Sequence, residues 1–81
     1  MNRIGVLAIV VEDLDSAMSL NEILHDYRHL VIGRMGLPLK ERGISLLSVL
    51  IEGTTDDIGG LTGKIGALKG VTVKSALTKQ H

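Results

Sequence analysis

The chain has 81 residues, 44% of them apolar, and its nine basic and nine acidic side chains cancel. That length supports one domain, whose core must be Ile, Leu, Val and Ala because Tyr27 is the sole aromatic. There is no basic field to attract nucleic acid. The lack of cysteine excludes disulfides, thiolate metal sites, cysteine-ligated iron–sulfur clusters and thiol catalysis.

Residues 3–12 form the first predicted strand, rich in Ile and Val and stopped by acids. Its apolar stretch, 4–11, resembles a signal-peptide core. Glu12, Asp13 and Asp15 follow it with no small-residue cleavage site, and it is too short to span a bilayer, so a cytoplasmic protein is expected. Asp15 is the expected N-cap of a helix running to about Tyr27, whose stripe Ala17, Leu20, Leu24, Tyr27 has three- and four-residue spacing. A second strand is expected over 30–35. Gly36, Pro38 and Gly43 then punctuate a connection over 36–43.

The third strand is expected over 44–52. Thr54, with Asp57 three residues on, starts a second helix over 55–69. Gly70 stops that helix, and the fourth strand spans 71–77. Residues 1–78 then make a single domain, with 79–81 as a loose tail.

These elements are written twice. Ile4, Val6, Ala8 and Val10 recur forty residues later as Ile44, Leu46, Ser48 and Leu50, and Glu12 recurs as Glu52. With the offset raised to forty-one, Leu20, Leu24 and Tyr27 map onto Leu61, Ile65 and Leu68. Two interleaved βαβ units give a ferredoxin-like α+β sandwich, βαββαβ, with a four-stranded antiparallel sheet and both helices on one face.

Helices on one side only should leave alternate strand positions polar. The first strand instead carries Leu7, Ile9 and Val11 on one face and Ile4, Val6, Ala8 and Val10 on the other. An open aliphatic face of several hundred Å² exceeds what monomers usually expose, so a homo-oligomer, dimer or tetramer, is expected. Leu7, Ile9 and Val11 are assigned to its interface. Gly59, Gly63 and Gly66 join them, because glycines opposite the buried stripe of the second helix suit close approach of another backbone. A weak surface helix would also explain them.

Several uses of this fold are closed to the chain. Base stacking needs aromatics, and copper-chaperone or ferredoxin chemistry needs cysteine. Gly53, Thr54, Thr55 and Asp56 have the position of a phosphate loop, but the acids around them disfavour an anion and capping explains Thr54 better. His25 and His29 are one helical turn apart with Glu22 on the same side, a weak metal-binding constellation. Arg34 sits between Gly33 and Gly36, which suits a carboxylate or acidic partner; an edge-strand arginine facing water has the same pattern. No nucleophile with a base is recognisable, so neither an enzyme nor a cofactor is expected.

The segments Val31-Ile32-Gly33-Arg34-Met35-Gly36-Leu37-Pro38 and Glu52-Gly53-Thr54-Thr55-Asp56-Asp57-Ile58-Gly59-Gly60-Leu61-Thr62-Gly63-Lys64 closely resemble the iron-only hydrogenase system regulators. Arg3-Ile4-Gly5-Val6 and Leu68-Lys69-Gly70-Val71 fit as well. The resemblance implies an ACT-like fold, similar to the C-terminal sensory domain of the nickel-responsive repressor, and a small oligomeric regulatory module. Nickel sensing does not carry over, because the repressor's cysteine ligand is missing and the paired histidines lie on or near the first helix. Nor does direct DNA binding, for which no ribbon-helix-helix domain is present.

The expectation is therefore an oligomeric regulator of the iron-only hydrogenase system, with a small effector held between subunits. ACT-type ligands usually sit at the first strand-to-helix turn, here Glu12, Asp13 and Asp15, whose charge favours an ammonium group. Gly33, Arg34, Gly36 and the segment from Gly53 to Asp56 are the other candidates. The alternative is a protein-interaction module that docks a hydrogenase-maturation or regulatory partner through the glycine face of the second helix, with no small ligand.

Overall fold

The computed structural model describes residues 2–79. β1 (Asn2–Val11), α1 (Ala17–Asp26), β2 (Val31–Leu39), β3 (Ile44–Thr54), α2 (Thr55–Gly66) and β4 (Val71–Leu77) follow in the expected order. They build one antiparallel sheet, β2-β3-β1-β4, with the duplicated strands β1 and β3 at its centre. Ala8 pairs directly with Ser48, its counterpart at the forty-residue offset. The internal two-fold relating the halves therefore passes through that pair.

Alternation along the strands decides what is buried. Leu7, Ile9 and Val11 of β1 and Val49 and Ile51 of β3 meet Leu20 and Leu24 of α1 and Ile58, Leu61 and Ile65 of α2 in one core. Each such side chain contributes about 1.5–3 kcal/mol on burial. Leu7 is 0% exposed, which corrects its expected interface role and that of Ile9 and Val11. All three point under the helices, and the sheet face left open belongs to the other parity, including Ile4 and Val10.

Local chemistry sets the element ends. A single 3-10 turn, Leu14–Ser16, precedes α1, and the Asp13 carboxylate accepts from the Asp15 amide at 3.0 Å. Asp13 thus caps this turn, and α1 itself starts after Ser16 with no side-chain cap, so the capping role expected of Asp15 is not found. β2 runs through Gly36 and Pro38 to Leu39, four residues beyond the expected end at 35. An edge strand tolerates proline, since only one side of it needs ladder hydrogen bonds. Thr54 caps α2 by accepting from the Asp57 amide at 3.1 Å, as its spacing predicts. α2 closes at Gly66, three residues short of Lys69.

β2 carries a register irregularity between Val31, opposite Ile51, and Gly33, opposite Leu50. The extra residue, Ile32, resets the alternation. Arg34 and Gly36 therefore face the helices, while Met35 and Leu37 join the open face. Of the expected tail, Gln80 and His81 lie outside the described residues.

Two glycines give opposite expectations. A Cβ on Gly63 would meet nothing within 4 Å, so Gly63→Ala should raise unfolding stability by about 1 kcal/mol through helix propensity. Gly70 has φ +70° and a Cβ there would lie 2.6 Å from that of Asp13, so Gly70→Ala should destabilise by at least the ~1–2 kcal/mol of a left-handed non-glycine residue. Urea melts of the two variants check both signs.

Candidate functional site

The expected site residues occupy separate places. Glu12, Asp13 and Asp15 leave the end of β1 that pairs with Ser45 and Val71, while Gly53 pairs with Arg3 at the other end. At about 3.3 Å per strand residue the two groups stand about 30 Å apart. One chain does not bring them into a single pocket.

The acidic turn is tied to the loop between α2 and β4. Glu12 donates its amide to the Gly70 carbonyl at 2.6 Å, and the buried Ser16 hydroxyl donates to the Lys69 carbonyl at 2.7 Å. Asp13 lies 3.8 Å from the Lys69 ammonium, an ion pair weakened by the 90% exposure of that lysine. Asp13 is thus occupied by capping and packing. Glu12 and Asp15 remain exposed, with no cation within pairing distance among the described residues.

At the opposite end, a Cβ on Gly53 would sit 2.7 Å from Leu30 Cδ2, so the core itself requires this glycine. The Thr54 hydroxyl is engaged in the cap, and Thr55 and Asp56 form the exposed first turn of α2. Asp56 and Asp57 there complement the helix dipole, as capping predicts.

On β2, Gly33 and Gly36 make room for Leu50 and Leu47, at 3.3 and 3.2 Å from an added Cβ. Arg34 reaches toward α1 and donates to the Asn21 side-chain oxygen at 3.3 Å. It shares a groove of about 480 Å³ with Asn21, Leu24, His25, Arg28 and Val31. Arg28 and the bulge that aims Arg34 were not recognisable in the sequence.

Glu22 and His25 lie on the exposed side of α1, whereas His29 falls in the 3-10 turn Arg28–Leu30 and stacks on Tyr27 with ring centroids 6.3 Å apart. Among the described residues no three His, Asp or Glu side chains converge as metal ligands would.

On α2 the glycines differ. Gly59 and Gly63 face open space, Gly66 sits against Val73, and Gly60 leaves room for the Tyr27 hydroxyl. Lys64 lies 5.1 Å from the centroid of the same ring.

The open face of the sheet gathers most of the exposed large hydrophobic side chains among the described residues. Leu46 and Leu50 of β3 and Met35 and Leu37 of β2 are exposed, Met35 by 74% and Leu50 by 46%. Ile4, Val6 and Val10 of β1 extend the patch. A hollow of about 450 Å³ lies at its centre, where the small pair Ala8 and Ser48 is flanked by Val10, Met35, Leu37 and Leu46. Among the described residues no helix is long and apolar enough to cross a membrane.

A β2-β3-β1-β4 antiparallel sheet with two helices on one face defines a ferredoxin-like module of the ACT-like type. The chain belongs to the TM1266-like family, described as "Iron-only hydrogenase system regulator, putative", whose model matches residues 3–75. The solved structure of the uncharacterized protein TM1266 from Thermotoga maritima is 35% identical and superposes with a TM-score of 0.90, over 98% of this chain and 100% of that one. Two more distant structures share the fold alone. A formyltetrahydrofolate deformylase from Pseudomonas putida KT2440 is 14% identical with a TM-score of 0.64, over 90% of this chain and 28% of the enzyme. The periplasmic divalent cation tolerance protein CutA from Archaeoglobus fulgidus is 9% identical with a TM-score of 0.54, over 96% and 86%. No curated protein matches the chain.

The tie between the two loops is measurable. Ser16→Ala removes a buried donor and strands the Lys69 carbonyl, so it should cost about 1–3 kcal/mol in urea unfolding. Exchange of the Glu12 amide, which donates to the Gly70 carbonyl, should quicken with it.

Proposed function

We propose that this protein is a non-enzymatic regulatory module of the iron-only hydrogenase system, working as a homo-oligomer that takes a small effector between its subunits. Family membership supports the regulatory role. The observation that carries the oligomer is the open sheet face. It is aliphatic across β2, β3 and β1, whereas the parity beneath the helices is already consumed by the core. Contiguous apolar surface on this scale is costly to leave in water.

The relief of the face favours a second copy. Ala8 and Ser48 make its centre shallow, and larger side chains rise around them. An internal two-fold through that pair gives both halves of the patch similar shape, which suits an isologous contact. Pairing of this kind would leave both helices outward. The acidic turn would stay open to a neighbouring subunit, and the exposed Glu12 and Asp15 carboxylates offer acceptors there for an ammonium-bearing effector such as an amino acid.

Light scattering at micromolar concentration should give a multiple of the 8.7 kDa chain mass. Leu50→Glu, on the open face, should yield a folded monomer with unchanged far-ultraviolet circular dichroism. A monomeric wild type would overturn the oligomer. Effector binding has its own readout: an amino acid present at a hundred times its Kd adds about 2.7 kcal/mol of stability, visible as a raised Tm. A panel of amino acids that leaves Tm unchanged would remove the effector and leave the oligomer standing.

A further inference from the structure

A second surface feature, a groove, lies on the opposite side of the sheet. The groove between α1 and β2 is lined by three side chains able to carry positive charge, His25, Arg28 and Arg34, and by no carboxylate. Glu22 and Asp26 instead line the outward flank of α1 with Met18. Among the described residues neither arginine has an acidic group within 4.0 Å, although the chain as a whole is electrically balanced. A guanidinium is normally drawn to a carboxylate, so two of them sharing one groove without one is a local imbalance.

Both guanidiniums are held by neutral acceptors. Arg28 donates to the His25 carbonyl at 2.9 Å near the C-terminus of α1, and Arg34 to Asn21 at 3.3 Å. One donor of each is used and neither charge is neutralised. The remaining N–H groups form planar forks suited to bidentate contact with an oxyanion. Leu24, 3% exposed, and Val31 supply an apolar floor, which strengthens a charged contact above it.

We infer that the groove between α1 and β2 binds a small oxyanion, a phosphate or a carboxylate, through Arg28 and Arg34, with His25 at its rim and the apolar part of the ligand on Leu24 and Val31. The site lies within one chain and on the helix side, away from the open sheet face, so it does not depend on self-association. Its ligand is opposite in charge to an effector drawn to the acidic turn.

Titration of the isotope-labelled full chain by NMR tests it, with inorganic phosphate in one arm, succinate in a second and sodium chloride at matched ionic strength in a third. Saturable shifts at Asn21, Arg28 and Arg34 are expected with phosphate, succinate or both, and the arm that saturates names the ligand class. Arg34→Gln and Arg28→Gln should each weaken binding about tenfold, the value of one charge-assisted contact. Lys40→Gln, outside the groove, should leave it unchanged. Two exposed positions give two independent variants, and retained spectral dispersion shows that each is folded. Shifts that never saturate, that sodium chloride reproduces, or that survive both arginine substitutions would overturn the site.

Discussion

One constraint shapes this molecule: two short helices cover one face of a four-stranded sheet, and nothing among the described residues covers the other. The sheet is built from duplicated strands rich in aliphatics at both parities. One parity meets α1 and α2 and is sealed, with Leu7, Val49 and Ile51 at 0% exposure. The other is left as a surface with the composition of a core. In a domain this small the sealed half carries the stability, so the open half is free to serve another purpose.

The scaffold is closed at one end by contacts between the halves of the duplication. The amide of Glu12 meets the carbonyl of Gly70, and Ser16 reaches Lys69. The left-handed Gly70 fits against Asp13, where a side chain would collide. These bonds join the first crossover to the second and fix the acidic turn against β4. A ligand at that turn would thus contact a braced element, in which little ordering entropy is lost on binding.

Much of the fold was legible because its signals are local. Alternation and the Thr54 and Asp57 spacing each follow from backbone chemistry within a few residues. Face assignment was not legible in β1: with aliphatics at both parities, periodicity cannot say which set meets the helices, and Leu7, Ile9 and Val11 were given to the wrong side. The end of β2 was missed for a related reason. Gly36 and Pro38 signal a break in an interior strand, whereas an edge strand accommodates them. Arg34 was singled out, yet its direction depends on the bulge at Ile32, which arises from pairing with β3 and leaves no mark in the residue types.

That bulge also links the two surfaces. After it, Met35 and Leu37 point to the open face while Arg34 and Gly36 point to the helix side, so adjacent residues of one edge strand serve opposite sides. β2 is an edge strand, held by β3 alone with no partner strand on its far side among the described residues, so it is less constrained than the central strands β1 and β3. A charge bound beside Arg34 and a hydrophobic contact at Met35 would act on the same few residues of backbone. Displacement of β2 by either would be felt by the other, and the coupling would be reciprocal. An edge strand with a different chemistry on each face would give a short physical route from a ligand bound on one side to a contact made on the other.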